Sequence, residues 1–191
     1  REYAKQELDG AFTDHIGYVY GMFDRALHMK PVPSKDPEDY DVIVGGIDPG
    51  MRDPFAAGVW GRIKGVWYQL WEFHQTGQSA ARLAPIFKAT QDHWKVKTWF
   101  VDKRRPSEIQ DLRDAGVNAL PNIDVHREND RHTIAPMVGI CLELLRNGKL
   151  YIGEDHDWTA EEFEKYHYPD EVEEREKNTQ DLPVDLSLIH I

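Results

Sequence analysis

The sequence contains very little cysteine, since Cys141 is the only one in 191 residues. A single thiol excludes an internal disulfide, and Cys141 lies in an apolar helical pattern, so we expect it to pack in the core and not to act as a nucleophile. No apolar run reaches the roughly 20 residues that cross a membrane, and the N-terminus lacks the apolar segment of a secretory signal. We therefore expect a soluble, intracellular protein from a reducing compartment.

Several functional motifs are also absent. No Gly-x-x-x-x-Gly-Lys-Ser/Thr loop is present, which argues against an ATP-driven motor within this chain. The nine histidines show no His-x₃-His spacing, and there is no Cys-x-x-Cys pair, so a zinc site has little support. The chain begins at Arg1 and not at Met, which suggests a piece of a longer protein.

Positive charge is scarce overall, because the net charge is −11, and this balance is unusual for a protein that handles nucleic acid. However, residues 154–191 hold 13 acidic and 3 basic residues, whereas residues 1–153 hold 21 acidic and 20 basic residues. The acidity is therefore a property of the C-terminal part. A run of acidic residues is usually solvated surface, and we interpret residues 161–176 in that way.

The most informative stretch is residues 41–54, DVIVGGIDPGMRDP. Its β-branched run predicts a buried strand that ends at Asp48, directly before the turn signal Pro49-Gly50. A carboxylate fixed at a strand end is costly to desolvate unless a metal, a phosphate-bound cation or a basic side chain faces it. The alternative is an Asp that only caps its turn.

The remaining pattern predicts an α/β domain with a mixed sheet and helices on both faces. Residues 1–29 are interpreted as a connecting arm, and the proline-rich residues 30–41 as a linker. After the first strand we predict, in order, a hairpin of strands (55–60 and 65–73), a helix (78–94), a strand (98–101) and a helix (106–115). Residues 117–125 are either a weak strand or an extended stretch interrupted by Pro121. A helix (134–146), a strand (150–152), and a helix that starts with a Thr159–Glu162 capping box and ends near Tyr168 follow.

The strand 98–101 also delivers an acid, Asp102, at its carboxyl end. If the two strands are neighbours, Asp48 and Asp102 meet at the edge of the sheet where ligands tend to bind. Mg²⁺ and Mn²⁺ prefer such oxygen ligands, and two ions roughly 4 Å apart can activate water and stabilise the leaving oxygen of a phosphodiester. Asp48 and Asp102 are therefore candidate metal ligands.

Two basic patches are candidates for contact with DNA phosphates. The first is Lys103, Arg104 and Arg105, directly after Asp102; its alternatives are a solvated loop or ion pairs that neutralise the acids. The second, which has weaker support, contains Arg127, Arg131 and His132.

These motifs together resemble the nuclease domain of the large terminase subunit of tailed bacteriophages. The resemblance rests on Gly46-Ile-Asp48-Pro-Gly50 before a three-stranded meander, and on Phe100-Val-Asp102 with Pro106 and Glu108 leading into a helix that stops at Gly116. Residues 140–152 with the helix 163–168, the segment Asp181-Leu-Pro-Val184, and the arm 1–23 are similar to further parts of that family.

The resemblance implies an RNase H-like fold that cuts concatemeric double-stranded viral DNA with two divalent ions, Mg²⁺ or Mn²⁺. Asp48 and Asp102 match its first two catalytic carboxylates. Asp53 matches an accessory acid of some members or is a plain turn residue, with equal weight. Glu72 is either a supporting residue of the site or, as we expect, a solvated strand residue.

The C-terminus departs from the family pattern, because members continue into an Asp on a helix that supplies a third carboxylate. This chain ends LPVDLSLIHI, and residues 186–191 look like a non-native tail derived from a sequencing adapter. The third acid is then missing, and we do not assign its role to Asp185. We expect weak metal binding and impaired cleavage.

The implied organisation is a linker arm (1–39) from an absent ATPase domain, an incomplete nuclease domain (40–185) and the tail (186–191). The implied partners are double-stranded DNA and, in the full protein, the ATPase domain, the small terminase subunit and the portal. The implied location is the host cytoplasm, with no membrane association.

Three alternatives stay open. The segment Gly46–Gly50 also resembles the opening of RuvC-like Holliday-junction resolvases, which are basic dimers without such an arm. A sugar-kinase or actin-like nucleotide-binding protein would need a second phosphate loop, and the only later Asp-x-Gly, Asp114-Ala-Gly116, is interpreted as a helix end. The third alternative is a DNA-docking module that does not cleave.

Overall fold

The computed structural model describes residues 18–50, 54–122 and 135–166. In these ranges the strands are β1 (Met29–Lys30), β2 (Val42–Asp48), β3 (Phe55–Ile63), β4 (Val66–Gln75), β5 (Trp99–Val101), β6 (Ala119–Pro121) and β7 (Leu150–Gly153). The α-helices are α1 (Arg25–His28), α2 (Ala80–Trp94), α3 (Pro106–Asp114), α4 (Ala135–Arg146) and α5 (Asp157–Lys165). None of the helices in these ranges is long and apolar enough to cross a bilayer.

The strands form one mixed sheet in the order β1-β7-β4-β3-β2-β5-β6. Strand β3 is antiparallel to β2 and β4, and every other neighbouring pair is parallel. The meander of three strands followed by alternating helices and strands is confirmed. Pro121 lies on the edge strand β6, where the missing backbone N–H breaks no ladder in the interior of the sheet.

Apolar side chains cover both faces of the sheet. The first core packs α2 and α3 on one face, with Phe87 and Leu112 fully buried. The second core packs α4 and α5 on the other face, around Trp60 and Phe163. Helices on both faces, as the sequence predicts, follow from the alternation of side chains along each strand.

The segment before β2 also contributes to the packed structure. Val19, Tyr20 and Phe23 are buried in the second core, and β1 adds a parallel strand beside β7. The predicted start near Tyr40 therefore marks the beginning of the central strands, while the packed core already includes residues 19–23. The assignment of residues 1–39 to a linker from an ATPase domain stays a prediction.

Helix α5 begins at Asp157 and not at the predicted capping box, which is a correction to the sequence interpretation. Thr159 lies within the helix, and its hydroxyl contacts β4: it accepts from Gln69 Nε2 at 2.6 Å and donates to Glu72 Oε2 at 2.9 Å. The Glu72 carboxylate also accepts from the backbone N–H groups of Trp158 at 3.3 Å and Thr159 at 3.0 Å. Glu72 is thus a helix cap supplied by a strand, and the expectation of a solvated strand residue was wrong.

Candidate active site

The two candidate acids are placed by adjacent parallel strands. Ile47 on β2 pairs with Val101 on β5, so Asp48 and Asp102 each come one residue later at the same edge of the sheet. Neighbouring strands lie about 4.8 Å apart. Ile47 and Val101 are buried in the first core, and alternation turns Asp48 toward the opposite face. The sheet therefore brings together two acids that are 54 positions apart in the sequence.

Both carboxylates are partly buried. Asp102 keeps 19% of its side chain exposed, and Asp48 is also of intermediate exposure. Partial burial at the carboxyl ends of strands restricts the movement of both carboxylates. Carboxylates held in this way suit a bound cation better than freely moving carboxylates do, because their oxygens are already ordered.

Arg104 is the principal partner of Asp102. Its Nη2 lies 2.6 Å and its Nε 2.9 Å from Asp102 Oδ2, and the Arg104 backbone N–H donates to Asp102 Oδ1 at 2.9 Å. The Arg104 side chain is 77% exposed. The carboxylate thus accepts from both the backbone and the solvent-facing guanidinium of the same residue.

The pKa of the Asp102 carboxyl reflects two opposing effects. Burial raises this pKa, but hydrogen bonds from the Arg104 side chain and backbone, with the charges of Arg104 and Arg105, outweigh burial and leave the pKa below its ordinary value. The pKa of Arg104 is raised, chiefly by its hydrogen bond to Asp102 and also by the charge of Asp48. Asp102 is therefore ionised at neutral pH, and the guanidinium lies in the field of both acids.

The loop after β5 is tied to the next strand by a residue that the sequence did not single out. Asn122, directly after β6, accepts from the Lys103 backbone N–H through Oδ1 at 3.1 Å and donates its own N–H to the Val101 carbonyl at 2.8 Å. These bonds fix the path of the loop that carries Lys103, Arg104 and Arg105. The sequence predicted a weak strand or extended stretch over residues 117–125, so Asn122 fell inside that segment and the end of the strand at Pro121 was not predicted.

The remaining predicted residues fall in different places. Lys103 and Arg105 are exposed, and Arg105 Nη1 lies 4.0 Å from Glu108 Oε1. Asp53, Asp185 and the patch of Arg127, Arg131 and His132 lie outside the described residues. The structure therefore brings together Asp48, Asp102 and Arg104.

The donor set of the described residues fits a hard divalent cation that also takes ligands from water or substrate. Mg²⁺ is usually bound through one or two carboxylates plus waters and phosphate oxygens, and Asp48 and Asp102 supply two carboxylates. No group of three or more His, Cys, Asp or Glu side chains suited to a metal is present within residues 18–50, 54–122 and 135–166.

An RNase H-like α/β domain with two acids at adjacent strand ends is the class that the fold and the site define. The family model of the terminase RNaseH-like domain matches residues 45–186. The chain belongs to this family. Among curated proteins, none matches the sequence.

Solved structures agree with the fold. The nuclease domain of the P22 large terminase has a TM-score of 0.67 at 15% identity, and the match covers 89% of this chain and 86% of that domain. The nuclease domain of the bacteriophage SPP1 large terminase, with bound Mn, has a TM-score of 0.58 at 19% identity, covering 81% and 84%.

One of the similar structures is a longer protein than this chain. The large terminase of a thermophilic bacteriophage has a TM-score of 0.67 at 22% identity, over 88% of this chain but only 41% of that protein. The chain thus spans about two fifths of the length of this relative, whereas it is comparable in length to the isolated nuclease domains.

Proposed function

We propose that this chain is the nuclease domain of a phage DNA-packaging terminase, an endodeoxyribonuclease that hydrolyses phosphodiester bonds of concatemeric double-stranded DNA with two divalent cations, Mg²⁺ or Mn²⁺. The observation that carries the proposal is the pairing of β2 with β5, which sets Asp48 beside Asp102. The family membership and the Mn bound to the SPP1 nuclease domain support it.

In this proposal Asp48 and Asp102 hold the cations. When bound, the cations activate water and stabilise the leaving oxygen. The Arg104 backbone N–H donates to Asp102 Oδ1 at 2.9 Å and helps to hold this carboxylate in place. Asp53 is retained as an accessory ligand, and a third carboxylate is expected beyond Val184.

The basic loop after β5 is proposed to contact the DNA backbone. Lys103 and Arg105 are exposed beside the acids, and Asn122 fixes the loop that carries them. Cationic side chains next to the acids would offset the repulsion between carboxylates and phosphates. Arg131 is proposed as a further DNA contact.

The full protein is proposed to add an ATPase domain and to act in the host cytoplasm with the small terminase subunit and the portal. The match to the longer large terminase, which extends over 41% of that protein, supports a longer parent chain. Tests on this chain alone address only its nuclease part.

The test is nicking of supercoiled plasmid with Mg²⁺ or Mn²⁺. We expect Asp48→Asn and Asp102→Asn to lower the nicking rate at least about 100-fold, since each removes a ligand from a site that acts as a unit. Nicking is measured both for residues 1–191 and for a form extended through the natural C-terminus, because the third acid is expected in that extension.

The matched control is Asp92→Asn, which removes a carboxylate from the exposed surface of α2 and should nick as the parent does. Equal nicking by the Asp48 and Asp102 variants would contradict the proposed ligands. Binding of DNA without nicking, in the extended chain as well, would favour the docking module instead.

A further inference from the structure

We propose that Arg104 is an internal counter-ion of the site, which occupies the outer face of Asp102 when no cation is bound and is displaced when a divalent cation binds. This inference rests on the proposed function and concerns the regulation of the same acids. The displaced guanidinium is then available to a DNA phosphate beside the site.

The first step of the argument is the geometry of the Asp102 carboxylate. Its Oδ1 accepts from the Arg104 backbone N–H at 2.9 Å, and its Oδ2 accepts from Nη2 and Nε of the same residue at 2.6 and 2.9 Å. The backbone contact helps to hold the carboxylate, and the guanidinium contacts both of its oxygens, since Nε also lies 3.2 Å from Oδ1. A cation that takes Oδ2 as a ligand therefore competes directly with Arg104.

The second step is exposure. Asp102 is 19% exposed whereas Arg104 is 77% exposed, so the acid is held in the fold and the guanidinium is at the surface. A solvent-facing ion pair contributes little to stability, because water and salt screen it. Arg104 can leave Asp102 at small cost, which a counter-ion that exchanges with a metal requires.

The third step is charge. Asp48 also acts on the guanidinium, so Arg104 balances part of the repulsion between the two acids. A dication and a guanidinium at the same carboxylate oxygen repel each other, and binding of one disfavours the other. The planar fork of Arg104 suits the anionic oxygens of a phosphate as well as those of a carboxylate.

The experiment measures Mn²⁺ affinity without DNA, by isothermal titration calorimetry, for a parent extended through the natural C-terminus, as in the nicking test, and for its Arg104→Gln variant. We expect the variant to bind Mn²⁺ roughly fivefold more tightly, the scale of a solvent-screened ion pair. Arg105→Gln is the matched control: it removes the same charge one residue away, but Arg105 pairs with Glu108 at 4.0 Å, so we expect less than about a twofold change. Arg104→Lys keeps the charge without the fork and should fall between the parent and Arg104→Gln.

The outcomes separate this inference from the proposed function. Tighter binding by Arg104→Gln, without a similar gain in Arg105→Gln, supports the exchange. Equal gains in Arg104→Gln and Arg105→Gln would reduce the effect to general charge and overturn it, as would unchanged or weaker binding by Arg104→Gln. If Asp48→Asn and Asp102→Asn bind Mn²⁺ as the parent does, or if neither the parent nor Arg104→Gln binds it, the proposed metal site itself fails and the inference with it.

Discussion

Gly45 lies where β2 passes under the indole of Trp99, which is fully buried. A Cβ at residue 45 would come within 2.1 Å of Trp99 Cε3. Because that contact is with a large ring inside the first core, the ring cannot move away freely. We expect Gly45→Ala to lower the free energy of unfolding by about 3 kcal/mol, measured by urea denaturation.

The control for this variant is Gly139→Ala. Gly139 is exposed on α4, and nothing in the described structure lies within 4 Å of a Cβ there. The same substitution in an open helical position should raise the free energy of unfolding by about 0.5 to 1 kcal/mol. Similar effects of the two substitutions would contradict the close packing of β2 against Trp99.

His156 precedes α5, and its Nδ1 is buried with no hydrogen-bond partner among the described residues. Burial lowers the pKa of this imidazole below 6.5, although the charges of Glu72 and Asp155 oppose the shift. Below pH 6.5 the unfolded chain therefore binds a proton that the folded chain does not. We expect stability to fall as the pH drops from 6.5 toward the lower pKa of the folded state.

This prediction is measured from urea midpoints between about pH 5 and 7.5, a window around the ordinary histidine pKa. His156→Gln should reduce the slope of stability against pH, even if the variant is less stable at every pH. The control is His93→Gln, on the exposed face of α2, which should keep the slope of the parent. An unchanged slope in His156→Gln would rule out His156 as its source.

The placement of Asp48 and Asp102 at strand ends could be predicted from the sequence, but the contacts of their side chains could not. Asp48 and Asp102 each follow a short apolar run, and that pattern is visible in the sequence. The ion pair of Asp102 with Arg104 was only one of three alternatives for the basic run, because a side-chain direction depends on the loop path. Asn122, which fixes that path, directly follows β6, the strand that was hardest to predict.

At the scale of elements, α5 depends on a cap from β4. Glu72 accepts from the first-turn N–H groups of Trp158 and Thr159, groups that a helix leaves without an internal partner. We expect Glu72→Ala to lower the free energy of unfolding by about 1 to 2 kcal/mol. Hydrogen exchange at the Trp158 and Thr159 amides should accelerate more than exchange in α2.

The control variant is Glu161→Ala, because Glu161 lies on the same helix and pairs with Lys165 at 2.6 Å at the surface. An exposed pair four residues apart contributes at most about 0.5 kcal/mol. If Glu72→Ala and Glu161→Ala cost the same, the cap from β4 does not stabilise α5.

The start of α5 illustrates why helix boundaries were harder to predict than the order of elements. The rule for a capping box compares residues three apart, and Thr159 and Glu162 satisfied it. The acceptor that caps the helix is Glu72, 87 residues from Thr159 in the sequence. A local rule cannot detect such a partner, whereas the alternation of strands and helices depends on local periodicity and was confirmed.

At the scale of the whole molecule, the segment before β1 closes the second core. Tyr20 and Phe23 contact the Phe163 ring, with centroids 4.7 and 5.1 Å apart, and Arg25 pairs with Asp157 and Glu164. We expect a chain that begins at Pro31 to unfold at a lower urea concentration than one that begins at Tyr18. Loss of two buried aromatic side chains typically costs several kcal/mol.

The chain that begins at Tyr18 is the control for truncation itself, since it keeps every described residue. Circular dichroism at rising urea concentration measures both chains. Equal midpoints would mean that residues 18–30 are a dispensable extension and that the second core is complete without them.

The pairing of β2 with β5 also has a consequence for the order in which the molecule is assembled. The strands β2, β3 and β4 of the meander are neighbours in the sequence and can form as soon as they leave the ribosome. Of the two proposed metal ligands, the meander carries only Asp48. Asp102 joins it after α2 has crossed over and β5 has docked, which is a slower, long-range event. In a nascent or half-folded chain, Asp102 therefore does not yet lie beside Asp48. Under the proposed function, such a chain would not cut DNA until β5 has docked on β2.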